Sequence, residues 1–598
     1  MRHISAMSVG SIVPLSKRRT LLCSMLSIIV ATGVSNGVAK ADEVSPQTGT
    51  SVMRTDSQSH NPGGKGVTTR QRAVAPNTSP VVTWVGRNPV TSGGFGANPV
   101  PGVVGAPGSL AIGFRLWEDY SYLKVPPKKP DFMDPVKYIP LNSSGDVYLT
   151  LSGDERFKYQ NYNNGNFGIP GKPMVYNIAS GKIKSTPCTR CDNADIYGIR
   201  NDFAADLHVT KYFRAYAEFV NAEQFGNLPS ANQSASGRND LVLVQGLVEF
   251  NSYFLGGKEG LQLGRWLPHF GWLGSGGSTL NNVFAPSYNG GSVYYDNGRV
   301  RSNFFYGVPV INKIGVLRGG ANSHLGVWGS YNTIVLPTSR ILDEVVKSNL
   351  DVFYFGTRVG GRSWQNAASV VYGPSINGKR SVSFLTGEDY RHTIGVRYYG
   401  HLGNWRFDES VAGQVGSFDG MDVRAFDIMS QAGYTFHEMP WQPTYYVRFD
   451  VASGGVHKNN GTSSSGSLND FLPIDEATNQ FVPNSFVMHS NLIDVAPHIV
   501  VNPIHNVTID SFVEPLWRYA QGDALQNSAI AGASPAFAAT AFVPGHYIGT
   551  LLDVRPEWDI TPHLSFDAEI GYIIAGTVFH EVNAGNYFYM YDQLEFKW

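Results

Sequence analysis

The chain has 598 residues, and its 46 Lys and Arg against 47 Asp and Glu leave a formal charge of −1. Only 16% of residues are charged, where an average globular protein has roughly 25%, while glycine numbers 66 and aromatics reach 12%. Such neutrality excludes a field that would gather nucleic acid, and beyond the first forty residues nothing approaches the run of about 20 apolar residues that a membrane helix needs.

Residues 1–41 read as a secretory signal peptide. Lys17, Arg18 and Arg19 precede an apolar stretch from Leu21 to Val34, and Ala39-Lys40-Ala41 supplies small residues before Asp42. The competing reading, a membrane anchor, needs a longer apolar core. Cys23 lies in that stretch without a lipobox and would leave with the peptide. Residues 42–109 are Ser, Thr, Asn, Pro and Gly without a period and read as a flexible extension, with a plug or a periplasmic scaffold contact as its open roles. Cys188 and Cys191 are then the thiols of the mature chain. In an exported protein they are expected to close a small disulfide loop. A redox or zinc role competes, but a lone CxxC with no second ligand pair supports neither.

The pattern changes after residue 110. In Val147 to Lys158, apolar Val147, Leu149, Leu151 and Phe157 alternate with Tyr148, Thr150, Ser152, Asp154, Arg156 and Lys158. Period two predicts a strand, and the same alternation returns at 199–209 and 213–219. One face is greasy and the other charged. A soluble sandwich would pack the greasy face against a second sheet, whereas an outer-membrane barrel turns it to lipid and lines its lumen with the charged face.

Three features favour the barrel. About 18 strands follow one another to residue 598, an even number. Tight turns such as Asp296-Asn297-Gly298, Leu402-Gly403-Asn404, Asn502-Pro503-Ile504-His505 and Asp559-Ile560-Thr561-Pro562 alternate with long polar connections near 163–195, 226–239, 268–290, 361–390, 455–486 and 520–545. Two connections fit this rhythm poorly: 336–349 is long for a turn, and 417–421 is short for an outer loop. Strand ends are also aromatic, including Trp266, Trp328, Trp405, Trp441, Trp517 and Trp558, as interface girdles require. The last strand alternates Phe588, Met590, Leu594, Phe596 and Trp598 with Tyr589, Tyr591, Gln593, Glu595 and Lys597. The predicted fold is all-β: a single transmembrane antiparallel up-and-down β-barrel of about 18 strands spanning 110–598, in the bacterial outer membrane.

Several stretches, in order, resemble the alginate-export family of outer-membrane channels. They are Glu118-Asp119-Tyr120-Ser121-Tyr122-Leu123, Asp134-Pro135-Val136-Lys137-Tyr138-Ile139-Pro140-Leu141, Leu263-Gly264-Arg265, Arg391-His392-Thr393-Ile394-Gly395-Val396-Arg397 and Ala432-Gly433-Tyr434-Thr435-Phe436. The series continues with the Arg448-x-Asp450-x-Ala452-Ser453-Gly454 run, Asn491-Leu492-Ile493-Asp494, Leu516-Trp517-Arg518 and Tyr547-Ile548-Gly549-Thr550. After Arg265 the chain departs from the family with Trp266-Leu267-Pro268-His269-Phe270, and the loop after Gly454 carries His457, Lys458 and serines in place of an acidic cluster. The resemblance implies export of an alginate-like polyuronate through an arginine-lined constriction.

With apolar residues outward, the inward set includes Arg156, Arg200, Arg214, Arg301, Arg397, Arg406, Arg448, Arg518 and Arg555 among more numerous carboxylates. Arg200 with Asp202, Arg406 with Asp408, Arg448 with Asp450, and Asp553 with Arg555 and Glu557 are i, i+2 neighbours. A carboxylate beside a guanidinium would hold its planar fork and moderate its attraction for a passing anion. The bland reading is that such pairs only stiffen the wall. The expected lumen constriction is Arg156, Arg200, Arg397, Arg448, Asp450, Arg518, Asp553 and Arg555. No Gly-x-Ser-x-Gly elbow, phosphate loop or histidine metal spacing is present, so no catalysis, cofactor or metal is expected. The expected partners are outer-membrane lipid, the barrel-assembly machinery, the anionic polysaccharide and periplasmic export proteins, with no nucleic acid, for a monomeric channel. The alternative is a general or anion-preferring diffusion porin for small solutes.

Overall fold

The computed structural model describes Leu116 and residues 118–598, apart from 126–129, 169–173, 178–181, 186–192, 228–236, 268, 271–273, 276–286, 342, 361–364, 377–378, 459–465, 475–486, 526–539, 542 and 583. The expected signal peptide, the extension, and Cys188 with Cys191 lie outside the described residues.

Eighteen antiparallel strands form a closed wall. They are β1 Val147–Asn163, β2 Asn193–Val209, β3 Phe213–Asn227, β4 Asn239–Phe254, β5 Gly257–Trp266, β6 Tyr288–Asp296, β7 Val300–Ile311, β8 Leu325–Val335 and β9 Glu344–Val359. The second half is β10 Asp389–Leu402, β11 Trp405–Phe418, β12 Met421–Thr435, β13 Thr444–Ala452, β14 Leu492–Ile504, β15 Val507–Trp517, β16 Tyr547–Asp559, β17 Leu564–Ala575 and β18 Tyr587–Lys597. Each pairs with its chain neighbours, and β18 pairs with β1 from Asp154↔Lys597 to Asn163↔Phe588, which leaves the wall without an edge.

The predicted tight turns sit where expected. Gly298 and Gly403 have φ of +78° and +54°, a conformation that costs glycine nothing. The long connection at 336–349 has a simple cause: Ser339–Ile341 folds back on Glu344–Val346 and extends the hairpin. At 417–421, Asp419 and Gly420 make a tight turn with positive φ at both residues. Two long connections read as polar loops contain strands. Met174–Asn177 and Lys182–Ser185 join Gln365–Ile376 and Lys379–Thr386 in a separate four-stranded sheet.

Parity decides which way each side chain faces. On β10, Ile394 is 60% exposed while Arg397 is buried; on β13, Val447 is 48% exposed while Arg448 is 3% exposed. The apolar face is therefore turned out all along these strands, which only a lipid surround makes favourable. Among the described residues no helix is long and apolar enough to cross a membrane.

One part of the sequence reading needs correction. Trp266, expected in an interface girdle, is buried, because it shares parity with the inward Gln262. It packs 6.0 Å from Phe270 and 5.7 Å from Phe305. With Tyr331, Phe353 and Phe355 these rings line the inside of β5–β9. Trp405 and Trp441 are exposed, as a girdle requires.

Candidate functional site: the charged bore and its passage

Several inward arginines are held by carboxylates, some of them across strands. Arg200 faces Arg156 in register, and its Nη2 instead donates to Asp154 Oδ1 at 2.9 Å, with Glu595 at 3.4 Å. Arg397 lies opposite Ser410 and takes Asp408, two residues along, with Nε donating to Oδ1 at 2.8 Å. Asp408, expected to hold Arg406, is thus bound by Arg397. Diagonal neighbours on one face lie within reach of a long side chain, and the pairing follows that rule. Two of the i, i+2 pairs do form: Arg448 Nε lies 2.9 Å from Asp450 Oδ2, and Arg555 Nε donates to Asp553 Oδ1 at 2.9 Å. Arg448 also donates to Glu514, and Arg555 lies over the Phe512 ring.

Arg156, Arg200, Arg397, Arg448, Asp450, Asp553 and Arg555 are all buried inside the wall. Arg518 does something else. It follows β15, and its guanidinium donates to the carbonyls of Thr540 and Gly545 at 2.6 Å each and to that of Val543. All three nitrogens thus staple the β15–β16 connection. Burial lowers its pKa to about 10.

Residues that the sequence reading left out complete these networks. Asp351 accepts from Tyr331 Oη at 2.6 Å and stands 4.0 Å from Arg397. Arg391 holds Asp389 and donates to the Asp470 carbonyl at 2.6 Å, while Gln414 Nε2 donates to the Leu472 carbonyl at 2.9 Å. Residues 466–474 therefore lie against inward side chains of β10 and β11. Asp351 and Arg391 were readable from parity alone; the partnership of 470 and 472 was not.

The segment before β1 also enters the bore. Lys137 is fully buried, donates to Ser152 Oγ at 2.6 Å and stacks on Tyr120, and Ser152 donates to Glu118 at 3.2 Å. The two opening motifs thus lie against the inward face of β1. Between this segment and the wall runs a cavity of about 370 Å³. Its lining includes Lys124 and Lys211, the latter in the short turn between β2 and β3, together with Arg214, Lys258, Arg301 and Trp266. Arg214 is fastened there by Asp206, with Nε donating to Oδ1 at 2.8 Å. None of the eight residues expected to form the constriction lines this cavity.

Residues 321–587 match the alginate-export family. The matched span runs from just before β8 to the first residue of β18, so the similarity lies in the carboxy-terminal part of the wall, while the opening motifs lie before it. The closed wall with its apolar exterior is that of an outer-membrane barrel channel. Solved structures similar to it include the outer-membrane protein OpdK of Pseudomonas aeruginosa, 8% identical over 75% of this chain and 98% of that one at a TM-score of 0.42. Another is OccAB1 of Acinetobacter baumannii, 9% identical over 75% and 96% at a TM-score of 0.43. A third is a BenF-like porin of Pseudomonas fluorescens Pf-5, 8% identical over 75% and 99% at 0.42. No curated protein matches the chain.

Proposed function

We propose that the channel carries an anionic polysaccharide of the polyuronate class from the periplasm to the cell surface along the passage beside β2–β7. The observation that supports this most is the lining of that cavity, where Lys124, Lys211, Arg214, Lys258 and Arg301 gather with Trp266 and Phe270. Each uronate repeat offers a carboxylate that accepts two parallel hydrogen bonds from a guanidinium. Asp206 and Glu249 beside these cations keep each hold short-lived, so the chain is passed on instead of trapped. Arg200, Arg397, Arg448 and Arg555, with Asp450 and Asp553, are fastened in the wall away from this cavity, Arg156 is buried in the same wall, and Arg518 holds the β15–β16 connection.

A second reading, an anion-preferring porin for small solutes, is favoured by the size of the cavity, since about 300–1,000 Å³ is the scale of a small-molecule site. Single-channel recording in planar bilayers separates the two. Export predicts block by oligouronates with dwell times that lengthen with oligomer length and shorten at least about tenfold in Arg301→Ala, the loss of one charged hydrogen-bonding pair. Block by the monomer alone, indifferent to chain length, would favour the porin.

A further inference from the structure

Near the outer end of β12–β14 the wall holds more negative charge than Arg448 answers. Asp450 and Asp494 are direct cross-strand partners in register, on the same inward face. They are 1% and 0% exposed. Like charges placed opposite each other in a sheet repel, and burial sharpens the repulsion. Asp427 and Glu514 bring two further buried carboxylates to the group. Arg448 is divided among three of the four, at 2.9 Å from Asp450 and 3.8 Å from Asp494 and bonded to Glu514. Both oxygens of Asp494 and both of Asp450 lack a hydrogen-bond donor; the Arg448 contact to Asp450 is an ion-pair contact without hydrogen-bond alignment.

A nitrogen donor is aimed into the same spot. His489, 1% exposed, arrives from the connection before β14, and its Nδ1 stands 2.7 Å from Asp427 Oδ1. A carboxylate against one imidazole nitrogen sets the tautomer and aims the ring, as around bound metals. One atom each from Asp450, His489 and Asp494 lie within 4.8 Å of one another. The ring is placed by a rigid corner. Asn491, at φ +52°, accepts from the Ala520 amide at 2.7 Å and donates its own amide to the Ser453 carbonyl at 3.2 Å. A Cβ on Gly454 would stand 2.2 Å from Asn491 Oδ1, so the corner closes only with glycine there. The Ser453-Gly454 and Asn491-to-Asp494 motifs therefore meet at this one place.

We propose that Asp450, His489 and Asp494, with Asp427 positioning the imidazole, bind one divalent transition-metal ion. Two carboxylates and an imidazole are the donors that Zn²⁺ and Mn²⁺ take, whereas Ca²⁺ and Mg²⁺ favour oxygen alone. The ion offsets the excess charge and ties the end of the β13–β14 connection to the wall. This inference is independent of what the channel carries.

The test uses the full-length folded barrel in detergent, stripped with chelator and titrated with Zn²⁺, and with Co²⁺ for its visible absorption. The expected result is one saturable site per chain, with a Co²⁺ band, that weakens about 10- to 100-fold in His489→Gln and Asp494→Asn. Both variants are first checked for the compact gel mobility of a closed barrel. Should either fail to fold, Asp427→Asn, which leaves the three ligands in place, is expected to weaken binding within the same range. Zn²⁺ binding that is absent, or unchanged in folded variants, overturns the proposal and leaves a proton shared between Asp450 and Asp494 as the account of the pair.

Discussion

Two walls of the same bore obey one parity rule and fill it with opposite chemistry. Along β5–β9 the inward positions carry Trp266, Tyr288, Phe305, Tyr331, Phe353 and Phe355, rings packed on one another. Along β12–β18 they carry Asp427, Arg448, Asp450, Asp494, Glu514, Asp553, Arg555 and Glu569, charges packed on one another. Alternation tells which side chains leave the lipid. It does not tell whether they meet water, rings or counter-charges, because all three are stable answers for a side chain that faces away from the membrane.

The sharpest way to break the comparison is to remove the cation of the ionic wall. Arg448→Ala strands three buried carboxylates and is expected to cost about 3–5 kcal/mol, read as a lower temperature for loss of the compact barrel on gels. A loss under about 1 kcal/mol would mean that these carboxylates are already neutral or otherwise compensated. On the aromatic wall, Phe355→Ala removes a fully buried ring that touches Phe270, Phe305 and Phe353. A cavity of that kind costs about 3 kcal/mol, and unlike the first change its effect should be insensitive to salt and pH. Near-wild-type melting would show that the rings are loose against open solvent.

A third effect depends on pH. Asp523, in the β15–β16 connection, is buried beside Asp470 and accepts from the Gly455 amide at 2.8 Å. Burial first, and then the Asp470 charge, raise its pKa to about 8, with Arg518 pulling the other way. In the unfolded chain it would ionise near 3.9, so the fold carries the extra proton between about pH 4 and 8. Stability is therefore expected to fall as pH rises through that window and to level off above it. Asp523→Asn should flatten melting temperature against pH; an unchanged slope would assign the effect to another group.

Most of the wall was readable because period two is a strong pattern and lipid demands it strictly. Val447, Arg448, Phe449 and Asp450 could stand only one way. The aromatic wall was not readable by the same rule, since hydrophobicity was taken to mean lipid. The clue lay in parity: Phe353 and Phe355 keep step with Asp351 and Thr357, which lipid would not tolerate. The ion pairs were visible as residues but not as couples, because Arg397 reaches Asp408 diagonally across two strands. Asp450 and Asp494 lay in two separate motifs and His489 in none; the register of β13 on β14 brings the two aspartates together, and the corner at Asn491 brings in the imidazole.

The seam between β18 and β1 is stitched at its base by Trp598, whose amide and carbonyl bond back to Gly153 at 3.0 and 2.8 Å. A Cβ on Gly153 would strike that indole at 2.5 Å, so the ring sits flat over bare backbone. Because the two partners are separated by nearly the whole barrel sequence, no local event can join them. Throughout synthesis and insertion the ribbon must carry two raw margins of amides and carbonyls into a medium that cannot solvate them. Chaperoning those margins until they find each other is a task the polypeptide hands to whatever inserts it, and the seam is where a failure of that help would first be seen.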